Sequence, residues 1–149
     1  PLEIFTDREG EIILKKYSPI GEMGTFAKQY AESLAQVSGH IALISDRDQF
    51  IAVAGGMKNL LGKNISSQLE NVIEKRQLLM AGKEERAFVA MTENEDSEYE
   101  QEVICPIICE GDVIGSVILL STDSKKKMGE VEQKLVQSAG GFLGRQMEQ

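Results

Sequence analysis

The chain has 149 residues, of which 42% are hydrophobic, and its 24 acidic residues outnumber 16 basic ones to give a net charge of −8. This size and composition predict one main domain with a substantial core, while the negative charge opposes non-specific attraction to nucleic-acid phosphates and anionic membrane surfaces. No apolar run approaches the ~18 residues of a membrane helix, so we expect a cytoplasmic protein without a membrane partner.

The first seventeen residues have the pattern of a strand pair. Two extended runs, at residues 2–5 and 11–15, flank a turn-rich stretch and predict a small hairpin. Two strands alone are marginal in water, so this hairpin needs a partner surface. Pro1 is not a natural initiator, and we expect that residues upstream are missing.

A helix is predicted over residues 19–38. Ser18 is suited to the N-cap and Pro19 to the first helical position, while Gly39 ends the helix. Apolar residues recur at alternating spacings of three and four, which is the seam of a heptad pattern. Packing on the chain's own sheet and pairing with another helix both explain such a seam. Its members are Ile20, Met23, Ala27, Tyr30, Leu34 and Val37.

A second hairpin is predicted at residues 40–45 and 50–54, because the polar residues 46–49 between these apolar runs have the composition of a turn. His40, the one histidine of the chain, stands at its start. Since no second metal ligand or nucleophile accompanies it, we expect a surface or capped histidine and not a catalyst.

A short helix across the sheet is predicted around residue 70. Ser67 and Glu70 have the spacing of a capping box, and apolar residues at helical spacing follow them. Residues 78–80 continue this helix or end it before Gly82.

Residues 86–91 predict a further strand, and residues 92–100 are acidic and without periodicity. A mobile, solvated loop is the interpretation that we favour for the acidic stretch. A lid over a pocket is the alternative.

The centre of the sheet is predicted at residues 102–121. Two runs rich in β-branched residues flank the turn at Glu110 and Gly111, which indicates paired antiparallel strands. The second run is apolar at consecutive positions, so both its faces should be covered. Pro106 cannot donate a hydrogen bond, and we expect it at a bulge or an unpaired edge position.

Cys105 and Cys109 are the only cysteines. Four residues of extended strand span ~13 Å, beyond the ~7 Å between Cα atoms that a disulfide allows. No histidine or second cysteine pair lies near them in sequence, so a zinc site is unsupported. We interpret both as small buried apolar side chains in a reducing compartment.

Residues 128–147 predict a final helix with two apolar stripes, one for the sheet and one for a neighbouring chain. Gly140, Gly141 and Gly144 each cost ~0.5–1 kcal/mol relative to alanine, a loss that close approach to another helix would offset. We therefore predict self-association through both terminal helices, as a homodimer or homotetramer. In this helix the interface residues are Val131, Leu135, Ser138 and Phe142, and the second stripe is Val136, Ala139, Leu143 and Met147.

The order of these elements is that of the GAF/PAS class of sensor domains. The stretches PLEIF, TDREGEIILKKYSPI, SDRDQFIAVAGG, GKNIS and MGEVEQKLVQSAGGFLGRQMEQ closely resemble the stage V sporulation protein T family of endospore-forming bacteria, and the resemblance covers essentially the whole chain. It implies an α+β fold in which a GAF/PAS-like antiparallel sheet carries the terminal helices on one face and short helices on the other.

The resemblance also implies that the chain contains parts of two domains with different functions. Residues 1–17 would be the tail of an AbrB-like swapped-hairpin domain, and residues 18–149 a GAF-like sensor and oligomerisation domain. DNA would be bound only through that N-terminal domain, whose DNA-contacting part is absent. The implied protein is a forespore transcription regulator that activates some genes and represses others, with a pocket for a small effector of unknown identity.

Three familiar activities of this fold class lack their residues here. We find no NKxnFxDE-type signature of cyclic-nucleotide sites, no Cys-His pair for a bilin, and no set of several cysteines for methionine sulfoxide reduction. An enzyme would need a nucleophile with its base, an acid–base pair or a metal set. We expect no catalytic residues, no metal and no cofactor.

Strand alternation places an effector pocket on the sheet face beneath the short helices. A slip of one residue reverses every side chain of a strand, so the parity of each strand is open. The alternative is a pocket filled by its own side chains, in a domain that only oligomerises the DNA-binding heads. The expected lining is Leu43, Ser45, Ala52, Ala54, Gly55, Phe88, Cys105 and Ile107.

Overall fold

The structure, a computed structural model, describes residues 20, 24–93, 98–125 and 127–148. The hairpin predicted at residues 2–15, the helix start at Ser18 and Pro19, and Met23 lie outside these residues. The described elements are helices α1 (Gly24–Ser38), α2 (Ser67–Glu74) and α3 (Glu130–Gln146), a 3-10 helix at Lys58–Leu60, and strands β1 (Ile41–Ser45), β2 (Phe50–Ala54), β3 (Leu79–Gly82), β4 (Gln101–Cys109) and β5 (Asp112–Ser121).

The five strands form one antiparallel sheet in the order β2-β1-β5-β4-β3. The central strand β5 is buried from residue 113 to residue 121, as its apolar residues at consecutive positions predict. A two-residue turn joins β4 to β5, and Glu110 and Gly111 both have positive φ there, which is the type I′ geometry that suits the strand twist. Pro106 lies beyond the stretch of β4 that pairs with β3.

Each face of the sheet has its own core. Beneath α1 and α3, small and branched side chains such as Ala42, Val117 and Leu143 pack together. Beneath α2 and the 3-10 helix, the packing residues include Phe50, Leu69 and Ile118. The α+β architecture with terminal helices on one face and short helices on the other is therefore confirmed.

Three local predictions between residues 66 and 91 are wrong: the N-cap at Ser67, the continuation of the helix through residues 78–80, and the strand at residues 86–91. The N-cap of α2 is Ser66 and not Ser67, because the Ser66 hydroxyl accepts the hydrogen bond from the Leu69 N–H. The segment after α2 forms the edge strand β3, paired with residues 101–104 of β4, whereas residues 86–91 form no strand. Backbone groups of that segment form hydrogen bonds with side chains and not with a neighbouring strand: the Val89 N–H donates to the Glu102 carboxylate.

The glycines of α3 serve a different contact from the predicted one. A Cβ at Gly144 would lie well under 3.0 Å from the carbonyl oxygen of Ile108, and one at Gly140 would lie 3.3 Å from the Cys105 Sγ. Close approach is thus to strand β4 of the same chain and not to a partner helix. Gly141 faces outward, with only the end of Arg145 near it.

Candidate functional site

The eight residues predicted to line a pocket do not come together. Leu43 packs in the core beneath α2, Phe88 lies at the margin of that core, and the buried Ser45 hydroxyl pairs with that of Ser116 at 2.6 Å. Gly55, at the end of β2, lies beside Ala35 of α1. The remaining residues belong to the opposite face, beneath α1 and α3: Ala52, Ala54, Cys105 and Ile107.

Strand parity explains this division. Leu43 pairs with Val53, so the residue on each side of Val53 points to the other face. A bulge at Ile51 then shifts the register between β1 and β2. The sequence gives no signal for either feature.

An open cleft of about 360 Å³ lies between α2 and residues 77–89. Phe88 is the one residue of the predicted set that lines it. The floor is formed by apolar side chains that are only half-buried, at the margin of the core beneath α2. The lining consists of Gln68, Asn71, Val72, Lys75, Gln77, Leu78, Leu79, Arg86, Ala87, Phe88 and Val89. We call this set the α2 cleft.

Hydrogen bonds close one end of the α2 cleft. The Ser66 hydroxyl donates to the Ala90 carbonyl at 2.6 Å, and the Gln68 side-chain oxygen accepts from the Ala90 N–H at 3.1 Å. The Ser66 N–H also donates to the Met91 carbonyl at 2.9 Å. These bonds fix the start of α2 to the opposite wall.

The second wall is held by two buried polar side chains that the sequence analysis missed. The hydroxyl of Tyr99, a fully buried residue, donates to the Val89 carbonyl at 3.2 Å and accepts from the Met91 N–H at 3.0 Å. Its ring lies 5.3 Å from that of Phe88. Glu102 accepts from the Val89 N–H at 2.8 Å. The sequence contains a signal for the burial of Tyr99, because it is the one aromatic residue of the acidic stretch at residues 92–100.

The α2 cleft is cationic although the chain is acidic. Lys75 and Arg86 line it, together with three side-chain amides, and no carboxylate does. The carboxylates nearest in sequence are engaged elsewhere, because Glu74 pairs with Arg47 and Glu85 accepts from the Gly82 N–H at 2.6 Å. Neither cation forms an ion pair with a carboxylate in the described part of the chain.

A second cleft, of about 310 Å³, lies between β3 and the start of α3. Its lining has the opposite character, with Glu84, Glu85 and Glu100 against Lys127. The side chain of Glu100 lies 3.9 Å from that of Lys83. Within the described ranges, no group of three histidine, cysteine or acidic side chains is arranged to hold a metal ion.

The heptad seam of the first helix divides between two environments. Ile20, Ala27 and Leu34 are buried in the chain's own core. Tyr30 is half-buried, and Val37 is 72% exposed. The seam therefore covers the sheet with most of its described members and leaves the others on the surface.

In α3 the two predicted stripes separate cleanly. The stripe with Val136, Ala139 and Leu143 is fully buried on the sheet. The other stripe faces outward: Val131 is 68% exposed and Phe142 is 37% exposed. Leu135 is half-buried and Ser138 is exposed.

Helices α1 and α3 lie side by side and antiparallel. Near the start of α1, the rings of Phe26 and Tyr30 lie 5.8 Å and 5.6 Å from that of Phe142, near the end of α3. At the other end, the His40 Nε2 lies 3.2 Å from a carboxylate oxygen of Glu132. We call the apolar surface across both helices the outer helix face. It comprises Phe26, Tyr30, Val37, Val131, Leu135, Ser138 and Phe142.

Glu132 connects three parts of this layer. One carboxylate oxygen accepts from the Gly129 N–H at 2.8 Å and so caps α3, while the other contacts His40. Partial burial raises the pKa of Glu132. The hydrogen bonds that its carboxylate accepts from the backbone of Gly129 and of Glu132 itself, together with the His40 ring, lower the pKa by more than burial raises it, so the pKa lies below the ordinary value. His40 is accordingly a capped structural histidine.

The two thiols are not activated. Burial raises the pKa of Cys105 to about 11. The pKa of Cys109 is also raised, by desolvation and by the carboxylates of Glu110, Glu148 and Asp112. Both cysteines are free.

Comparison with known proteins gives the chain a family. Residues 22–148 match the family described as the C-terminal domain of stage V sporulation protein T, a transcription factor. The chain is 47% identical over 150 residues to stage V sporulation protein T of Bacillus subtilis (strain 168), and the match covers 100% of this chain and 82% of that protein.

Solved structures confirm the fold. The GAF domain of an Acinetobacter phosphoenolpyruvate-protein phosphotransferase superposes with a TM-score of 0.67 at 12% identity, covering 92% of this chain and 86% of that one. A type II free methionine-R-sulfoxide reductase of Thermoplasma acidophilum gives a TM-score of 0.62 at 14% identity, covering 84% and 94%. None of the helices in the described residues has the length and apolar character that crossing a bilayer requires.

Proposed function

The chain belongs to the family of the C-terminal domain of stage V sporulation protein T, and on that basis we propose that it is the sensing and assembly domain of a sporulation transcription regulator. The observation that carries this proposal is the family match, which extends over nearly the whole chain. The regulator acts in the forespore cytoplasm, where it activates some genes and represses others. Residues 1–17 belong to a swapped-hairpin domain that binds the DNA, and residues 18–149 form the GAF-like domain.

Assembly takes place through the outer helix face. Of the six large apolar residues that are exposed in the described part of the chain, three lie there, namely Val37, Val131 and Phe142. Exposed apolar patches on a soluble protein mark contact surfaces, and aromatic residues such as Phe26 and Tyr30 are enriched in interfaces. The occupant is a second copy of the chain, which gives a homodimer, or a homotetramer if both helices pair separately.

Charge substitutions test this assembly. In V37E/V131E, two carboxylates would have to lose water in the interface, which raises the dissociation constant more than tenfold. Neither side chain contributes to the core, so the monomer remains folded. The control is L61E, since Leu61 is an exposed apolar residue (57%) outside the outer helix face. Light scattering after size exclusion should give a smaller mass for V37E/V131E than for L61E and the unchanged protein. Equal masses for all three proteins would refute the proposal.

We assign the sensing function to the α2 cleft, where a small effector contacts both α2 and the wall of residues 86–89. Most of the residues predicted to line a pocket are packed in the two cores, whereas Phe88 lines the α2 cleft, which makes this cleft the better supported site. That same packing favours one alternative, a ligand-free domain that only holds the DNA-binding heads together. A ligand raises the melting temperature of the state that it binds, so a flat melting temperature across a panel of metabolites would favour the alternative.

No reaction is assigned to the domain. The family is that of a transcription factor, and the reductase with a similar fold shares 14% of its sequence, which transfers the fold and not the activity. The Cys105 thiol, with its pKa near 11, is the wrong species for nucleophilic chemistry at neutral pH.

A further inference from the structure

We propose that the α2 cleft binds a small anion, a carboxylate or phosphate monoester that carries a short apolar group. This inference rests on the proposed sensing function and adds the chemical class of the effector. It begins from the lining, which combines two cations and three amides with an apolar floor and contains no carboxylate.

The charge of the cleft is opposite to that of the protein. The chain carries −8 overall, yet Lys75 and Arg86 line the same cleft from its two sides, Lys75 directly after the end of α2 and Arg86 within residues 77–89. The carboxylates adjacent to them in sequence, Glu74 and Glu85, are bonded to Arg47 and to the Gly82 N–H. An anion between the two walls would therefore find two cations without competing described partners.

The floor selects the rest of the ligand. Val72, Leu79 and Phe88 are half-buried apolar side chains at the margin of the core, so each has apolar surface left for a ligand to cover. Tyr99 holds Phe88 in place from behind. Gln68 already bonds Ala90, which leaves the amides of Asn71 and Gln77 to orient polar groups.

The size of the cleft limits the ligand to a small molecule. Its volume of about 360 Å³ is near the lower end of the roughly 300–1,000 Å³ range of ligand pockets. A short apolar chain of four or five carbons with one anionic group fits this space.

Matched pairs of probes test the inference. One pair is 4-methylpentanoate and its neutral amide, and the other is 3-methylbutyl phosphate and its parent alcohol. Titration of the ¹⁵N-labelled protein, followed by NMR, measures affinity and place together. At least one anion should shift the amide signals of Val72, Leu79 and Phe88 to saturation, and its neutral counterpart should bind about tenfold more weakly or worse. The two anions distinguish a carboxylate from a phosphate effector.

Paired variants test the role of the cations. K75Q/R86Q should weaken the anion about tenfold or more, whereas K58Q/K63Q, with the same loss of charge outside the cleft, should stay within twofold of the unchanged protein. All four positions are exposed, and unshifted signals elsewhere show that each variant is folded.

Three results would overturn the inference: equal binding of the neutral probes, equal binding by K75Q/R86Q, or no shift at the cleft with either anion. Neutral binding at the cleft would leave the sensing function intact and remove only the anionic class. The assembly function is judged separately, by the mass of V37E/V131E, so the two failures are distinguishable.

Discussion

Replacing Gly144 by alanine should destabilise the domain, although alanine is the better helix former. The new Cβ would lie well under 3.0 Å from the Ile108 carbonyl oxygen, a backbone atom that cannot rotate away. To accommodate it, α3 must move off β4 or the strand must bend. Overpacking of this kind costs about 1–3 kcal/mol, whereas the gain in helix propensity is at most ~1 kcal/mol.

The net effect expected for G144A is a loss of about 2 kcal/mol, since a fixed backbone contact belongs at the upper end of the overpacking range. At roughly 2–4 °C per kcal/mol for a chain of this size, the melting temperature falls by about 4–8 °C. The matched control is G141A, where the nearest side-chain atom lies 4.0 Å away. That variant should gain ~0.5–1 kcal/mol from helix propensity alone.

Urea unfolding measures both effects. G144A, G141A and the unchanged protein should be compared at one protein concentration, because association of copies raises apparent stability. The midpoint should fall for G144A and rise slightly for G141A, with unchanged slopes. If G144A were as stable as G141A, the close packing of α3 on β4 would be refuted.

Further outcomes follow from the polar contacts. Because the pKa of Glu132 is lower in the folded state than its ordinary value of 4.5, its contribution to stability is complete above that value and is lost as pH falls through the folded pKa. E132Q should therefore flatten the acidic part of a curve of unfolding free energy against pH, and an unchanged curve would contradict the assignment. Y99F leaves the buried Met91 N–H and Val89 carbonyl without the hydroxyl and should cost about 1–3 kcal/mol in urea unfolding; a neutral substitution would show that the wall of the α2 cleft is held otherwise. Cys105 should react with iodoacetamide at pH 7.5 far more slowly than a solvent-exposed thiol, since its pKa is about 11, and its rate of labelling should rise in urea. Fast labelling of the folded protein, measured by mass spectrometry, would contradict this.

Hydrophobic pattern predicted the large features of the fold. The consecutive apolar residues of β5 predicted a central strand, and the two stripes of α3 predicted a helix with one face on the sheet, because both signals come from burial of whole faces. The Glu110-Gly111 turn predicted its hairpin through local chemistry. These features need no knowledge of distant contacts.

The pocket and the segment before β4 depend on distant contacts and were not predictable in the same way. Residues 86–91 have the composition of a strand, yet Tyr99 and Glu102 take their backbone hydrogen bonds, so propensity is overridden by tertiary structure. The bulge at Ile51 is invisible in the sequence. The opposite-facing positions of Leu43 and Ala52 follow from strand parity, which composition cannot fix.

The central claim, that copies of the chain meet through the outer helix face, is tested most directly by isotope-filtered NMR on a mixture of ¹³C-labelled and unlabelled protein. The account predicts contacts between copies at the methyl groups of Val37 and Val131, and none at Leu61. Contacts absent from both valines, or found at Leu61 instead, would contradict it.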